Sequence, residues 1–234
     1  MIHLPIPGII SGSNLYSTTG MLLGNGTDYY SRTNWLPSDG GDMTFVASLK
    51  FDSLLSGSTF YLGGNVGSNR MIMEVAPLDP TNHDMQWNRL LDTSGNTLLN
   101  NAAKKSILDT DLSTWFAYVK TFRSATGAWE IWINGVKASG TGTAGTADWT
   151  GSALFGAWFA GDSTGLWMNA AHVWIAQEYV DMSTEYSKFF DGNDKPISLG
   201  ADGSTPTSRQ PEHFAPDGDL STNLGTESNW TAVG

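Results

Sequence analysis

The chain has 234 residues, 40% of them hydrophobic but only 15% charged, well under the ~25% usual for soluble domains. Its formal net charge of −11 sets it against phosphate backbones, and no Lys/Arg cluster offsets this, which excludes nucleic acid as a partner. With no cysteine, a disulfide framework and thiolate metal sites are excluded as well. The length suits one large β domain, and the 27 glycines, with many Ser, Thr and Asn, suit short strands joined by polar turns. Met1 is followed by IHLPIPGIIS, with neither a basic region nor a long apolar run, and no stretch approaches the ~18 apolar residues of a membrane helix. Neither a signal peptide nor a membrane partner is expected.

Residues 1–40 alternate short apolar runs with turn clusters, ending in Pro37-Ser38-Asp39-Gly40-Gly41. Met43–Phe51 then predicts a strand with Phe45, Ala47, Leu49 and Phe51 on one face. Thr59–Leu62 and Arg70–Val75 predict a pair of strands around a glycine-rich turn region, Gly63–Asn69. Met85–Leu91 and Thr97–Leu99 predict two short strands.

The most regular stretch is Trp115–Ala138. Trp115–Phe122 is rich in aromatic and β-branched residues, which suit a half-buried pleated surface. A loop over Arg123–Gly127 leads to a second strand, Ala128–Ile133. Asn134-Gly135 then turns the chain back, because a type I′ turn needs positive φ at both central residues. Trp115, Ala117, Val119 and Thr121 share one face of the first strand; Phe116, Tyr118, Lys120 and Phe122 share the other. On the second strand Trp129, Ile131 and Ile133 oppose Glu130 and Trp132. Since both faces carry aromatics, one fills a core between two sheets. The other is either covered by loops or forms a binding groove.

Gly140–Gly151 reads as a small-residue loop, and Ala153–Ala160 and Leu166–Ala176 as strands. Strands at this spacing indicate a sandwich. One short helix is predicted, capped by Asp181 or Ser183, with Tyr186, Phe189 and Phe190 as its apolar stripe and Gly192 past its end. This divides the chain into a β body, 1–192, and a Pro/Gly-rich C-terminal tail, 193–234. The tail lies across a body or reaches for a partner, with Pro196–Leu199 and Asn229–Val233 as edge-strand candidates.

Little in the sequence points to catalysis. Glycosidases need two carboxylates across one groove, and here Glu74 and Glu130 stand without an acidic residue two positions away. Gly161-Asp162-Ser163-Thr164-Gly165 matches G-x-S-x-G, but between two β-like runs it reads as a hairpin turn rather than a nucleophile elbow. His3, His83, His172 and His213 are scattered and lack zinc-ligand spacing. No cofactor is expected apart from calcium, for which Asp148, Asp162 and the Asp191–Asp194 turn are oxygen donors of the right kind. Each of the ten tryptophans either packs under a loop with its N–H satisfied or stacks on a sugar. Trp87, near Asn82, His83, Asp84 and Asn88, is the first candidate; Trp35 and Trp149 follow.

Strand, loop, strand, Asn-Gly and strand, opened by Trp115, resembles the centre of laminin G-like and other concanavalin A-like jelly rolls. Asp42–Phe51, Ala153–Trp158 and Leu166–Ile175 with its short helix fall in the same order as in those domains. The resemblance spans about residues 10–190 and implies an all-β, concanavalin A-like jelly-roll β-sandwich with one short helix and an irregular C-terminal tail. The tail resembles those of phage and prophage structural proteins: Phe189-Phe190, then Leu199-Gly200-Ala201-Asp202-Gly203-Ser204-Thr205-Pro206, then Thr222-Asn223-Leu224-Gly225 and Asn229-Trp230-Thr231. That resemblance implies a non-enzymatic bacteriophage virion protein on the particle exterior: a capsid decoration, fibre or tail adhesion protein. Its partners would be capsid or tail proteins, glycans and further copies of itself. A free carbohydrate-binding lectin is the alternative, and a glycoside hydrolase the third reading.

Overall fold

A computed structural model describes residues 21–23, 29–53, 60–64, 71–77, 82–108, 114–155 and 167–233, with 21–23, 51–53, 60–64, 71–77, 82–88, 101–108 and 167–168 described by backbone alone. The strands are β1 (Met21–Leu23), β2 (Tyr29–Thr33), β3 (Met43–Ser53), β4 (Phe60–Gly64), β5 (Met71–Pro77), β6 (Asn82–Leu91), β7 (Thr97–Leu108), β8 (Phe116–Arg123), β9 (Ala128–Ile133), β10 (Val136–Thr141), β11 (Ser152–Phe155), β12 (Trp167–Ala176), β13 (His213–Ala215) and β14 (Thr231–Val233). They form two antiparallel sheets. The first runs β1-β12-β3-β8-β9-β10, with β13 also beside β12; the second runs β14-β2-β11-β4-β5-β6-β7. The chain crosses between sheets at β1–β2, β2–β3, β3–β4, β7–β8, β10–β11, β11–β12 and β13–β14, the winding of a jelly-roll sandwich.

Alternation along the strands sets the core. Met43, Phe45, Ala47 and Leu49 of β3 join Phe116, Tyr118 and Phe122 of β8 and Trp129, Ile131 and Ile133 of β9. Tyr30, Leu90, Leu99, Ala153 and Phe155 meet them from the second sheet. These are the faces expected from the period-two pattern. Lys120 shares the core face and is fully buried, its ammonium 5.5 Å from the Tyr118 ring centre. Asn134 and Gly135 have φ of 46° and 68°, as the expected hairpin turn requires.

Other expectations need adjustment. The two short strands around Met85–Leu91 and Thr97–Leu99 are the longer β6 and β7. Their polar extensions are held by pairing with neighbours, such as Asp84 opposite Ser106 and Gln86 opposite Lys104, not by an apolar pattern. Pro196–Leu199 makes a single bridge, Phe190 to Pro196, instead of a strand. The helix is one α-turn, Met182–Glu185, followed by a 3-10 turn, Tyr186–Lys188. Asp181 caps it, accepting from the Ser183 N–H at 3.0 Å.

The tail lies across the body of its own chain. β13 pairs with Val173–Ile175 of β12, and β14 pairs with Tyr29–Ser31 of β2, so the tail adds a strand to each sheet. Residues 213–215 and 231–233 of the tail are thus integral to the two sheets. Gly218, at φ +83°, packs so close to β12 that a Cβ would overlap the Ala170 carbonyl oxygen.

Candidate functional site

The outer face of the first sheet is covered. Val46, Ala117, Val119, Trp132, Trp174 and Ala176 project from it and pack with Val180, Met182, Phe189, Phe190, Leu199 and Phe214 from the helix and tail. Trp132 stacks on Tyr186 with ring centres 5.7 Å apart, and Trp174 meets Phe189 edge-on at 5.1 Å. The indole N–H of Trp174 donates to the Gly203 carbonyl at 2.9 Å. Burial and hydrogen bonding from Asp194 push the Tyr186 hydroxyl's pKa far up, so it stays protonated and donates to that carboxylate at 2.8 Å. Of the two sequence-level options for this face, cover is the observed one.

The second sheet presents a groove of about 470 Å³ across β14, β2 and β11. Tyr29 and Leu154 form a small apolar cluster separate from the core and floor the groove. Ser31, Thr33, Ser152 and Thr231 set hydroxyls around it. The strand period explains the arrangement: Tyr30, Ala153 and Phe155 point into the core, and their neighbours Tyr29 and Leu154 point away. Arg32 ties one end to the tail, donating to Glu227 Oε2 at 2.7 Å and to the Ser228 carbonyl. A second cleft, of about 500 Å³, lies under the tail between Leu199, Phe214, Pro216 and Leu224, and is mainly apolar.

Two of the predicted sugar-stacking residues belong to the core instead. Trp35 and Trp149 are fully buried and meet edge-on at 6.5 Å. Trp149 donates its indole N–H to the Gly41 carbonyl at 2.7 Å, and its backbone N–H goes to Asp39 Oδ1 at 2.9 Å. Their rings offer no face to a ligand; the polar loops around them lid the sandwich. Asn82, Asp84 and Trp87 lie on β6, in the same sheet as the groove but separated from β11 by β4 and β5. Trp87 sits opposite Met73 and Ala103, beside a register shift; the three side chains are outside the described residues. Tyr29, Ser31, Thr33, Ser152, Leu154 and Thr231 were not sequence candidates. Leu154 and Thr231 lay within predicted strands, Ala153–Ala160 and Asn229–Val233, and the rest had no signal beyond the short run YYSRT between turn clusters.

Asp191 and Asp194, expected as calcium donors, are occupied by their own turn. Asp191 Oδ1 accepts from the N–H groups of Asn193 and Lys195 at 2.8 and 3.0 Å. Asp194 takes the Tyr186 hydroxyl. Asp148 is buried, and Asp162 with the Gly161–Gly165 stretch lies outside the described residues. Among the described residues no three His, Asp or Glu side chains converge as a metal site.

No protein-family model and no curated protein matches the chain. Among solved structures it is similar to a Bacteroides ovatus protein proposed to bind carbohydrate, at 15% identity and a TM-score of 0.58, over 92% of this chain and 58% of that one. The chain thus spans little more than half of that protein's length. It is also similar to part of the extracellular region of zebrafish Gpr126/Adgrg6, at 10% identity and a TM-score of 0.51, over 91% of this chain and 25% of that one. With the topology above, these likenesses show the fold: a concanavalin A-like jelly-roll β-sandwich.

Proposed function

We propose that this chain is a non-enzymatic glycan-binding module that holds sugar in the β14–β2–β11 groove. The observation that carries this reading is the groove's make-up: an apolar floor of Tyr29 and Leu154 inside a rim of four hydroxyl-bearing residues. A pyranose has the matching character, with an apolar C–H face and hydroxyls around its edge. The volume falls within the ~300–1,000 Å³ usual for ligand pockets. The Bacteroides protein that shares the fold is itself proposed to bind carbohydrate, which adds support. Asn82 and Asp84 of β6 are proposed to extend the same surface for a longer chain of sugars; Trp87 is in register with Met73, Leu62 and the core residue Phe155, on the core side of the sheet.

No catalytic role is proposed. Glu130, the carboxylate a hydrolase would use, accepts from the Trp132 indole at 2.8 Å and pairs with Lys137 at 3.3 Å. Turnover of a glycan that disappears in Glu130→Gln would restore the hydrolase reading. Binding is also proposed to need no calcium and to survive a chelator.

The test is a broad glycan panel with the wild-type chain and Thr33→Arg. Thr33 is exposed on the groove rim, so an arginine there obstructs the groove without disturbing the core. We expect about tenfold or greater loss of affinity in Thr33→Arg, the effect of removing ~1.4 kcal/mol of binding. Binding by neither wild-type nor variant would remove this reading.

A second reading, a virion-exterior protein binding capsid or tail neighbours, rests on the tail's resemblance to phage structural proteins. Its support is narrower, because the tail's observed contacts are with its own body. Immunogold labelling of phage particles tests it: gold over the head or tail supports it, and unlabelled particles remove it.

A further inference from the structure

His213 lies in β13, fully buried, with both ring nitrogens engaged. Nε2 meets the Trp35 carbonyl, and Nδ1 meets the indole Nε1 of Trp230 at 3.2 Å. A carbonyl only accepts and an indole N–H only donates. The neutral tautomer is thereby fixed: Nε2 donates to Trp35, and Nδ1 accepts from Trp230. Trp35 follows β2 and belongs to the body. His213 and Trp230 come from two separate parts of the tail, and Trp230 immediately precedes β14. One imidazole therefore joins three chain segments.

We propose that His213 is an acid-sensitive latch that fastens the C-terminal segment along the end of the groove. A second ring proton must go on Nδ1, where it would face the Trp230 N–H donor. Two donors cannot share that contact, so the bond to Trp230 breaks. Trp230 is 2% exposed, so its N–H reaches solvent only if the ring moves. β14 leaves with it, and Thr231 of β14 is a wall of the groove.

The surrounding charges favour the closed form at neutral pH. Arg32, on β2, opposes a positive ring and is itself held by Glu227. Glu212, beside His213 in the chain, is turned to the Gln177 N–H and to Arg209. Asp219 takes the Tyr30 hydroxyl at 2.8 Å. Burial first, then Arg32, push the His213 pKa down to about 4, against a backbone hydrogen bond to Trp35 that raises it. The carboxyls of Asp181, Asp202 and Asp219 are held below the usual carboxylate range by hydrogen bonds from Ser183, Ser204 and Ser221, in Asp219 against the opposing effect of its burial. They titrate below the window in which the latch opens.

Hydrogen-exchange protection, corrected for intrinsic rates, tests the latch between neutral pH and about pH 4. The amides of β13 and of Trp230–Val233 should lose about tenfold or more of their protection while the β8–β9 hairpin keeps its own, as expected of local opening. In His213→Gln, which cannot titrate, tail protection should not depend on pH. If that variant does not fold, Trp230→Phe removes the opposing donor and should raise the His213 midpoint, read by ring NMR. Tail and hairpin protection falling together at every pH would overturn the proposal, as would a wild-type midpoint near the ordinary 6.5 with the tail still protected. The link to glycan affinity rests on the groove reading above. A tail that opens in acid while no glycan binds at any pH would keep the latch and remove the glycan.

Discussion

On the outer face of the first sheet, Trp132 and Trp174 meet aromatic rings supplied by the same chain, Tyr186 and Phe189. On the outer face of the second, Tyr29 and Leu154 meet each other and are ringed by hydroxyls. Both faces begin with aromatic and aliphatic side chains pointing away from the core. The difference lies in what the chain does from Val180 onward. It lays apolar side chains on the first sheet, whereas on the second it adds only β14 at the edge. A face the chain covers with its own rings contributes stability. The face edged with hydroxyls is the one proposed to bind glycan.

The largest expected effect breaks the covered side. Trp174→Ala removes a fully buried ring, its contact with Phe189 and its hydrogen bond to Gly203. It should cost ~3–5 kcal/mol in denaturant unfolding while the folded fraction still binds in the groove. Acid should come next. His213 has a depressed folded pKa, about 4, against 6.5 unfolded, so its contribution is intact above pH 6.5. As pH falls from 6.5 towards 4, the unfolded chain takes up a proton that the folded one refuses, and stability drops by ~3 kcal/mol. Stability that stays flat across that window would show the ring is not held as described. Asp181→Ala, which uncaps the short helix over the covered face, should cost about 1 kcal/mol by thermal unfolding.

How much of this was readable in advance varied with the physical signal. The β8–β9–β10 meander was legible because aromatic and β-branched residues are dense along β8 and β9 and Asn134-Gly135 dictates its turn. The helix cap was legible at Asp181 for the same local reason. β1, β2, β13 and β14 are three to five residues long, and only β14 lay within a predicted run, Asn229–Val233. Strands so short are fixed by the partner they add to, which a local pattern does not contain. The site was less legible still. Trp35, beside Asn34, and Trp149, beside Asp148, looked like stacking platforms, yet Asp39 and the Gly41 carbonyl, distant in sequence, bind Trp149 into the core. Tyr29, Ser31 and Thr231 come from positions about 200 residues apart, and only the pairing of β14 with β2 brings them together.

The most direct test of the account is glycan-panel binding by the wild-type chain beside Thr33→Arg, with both melting temperatures measured. A neutral glycan should bind the wild type and bind the variant about tenfold or more weakly, at ~0.5 kcal/mol or less of lost stability. Binding equal in both, or absent from both folded proteins, would contradict it.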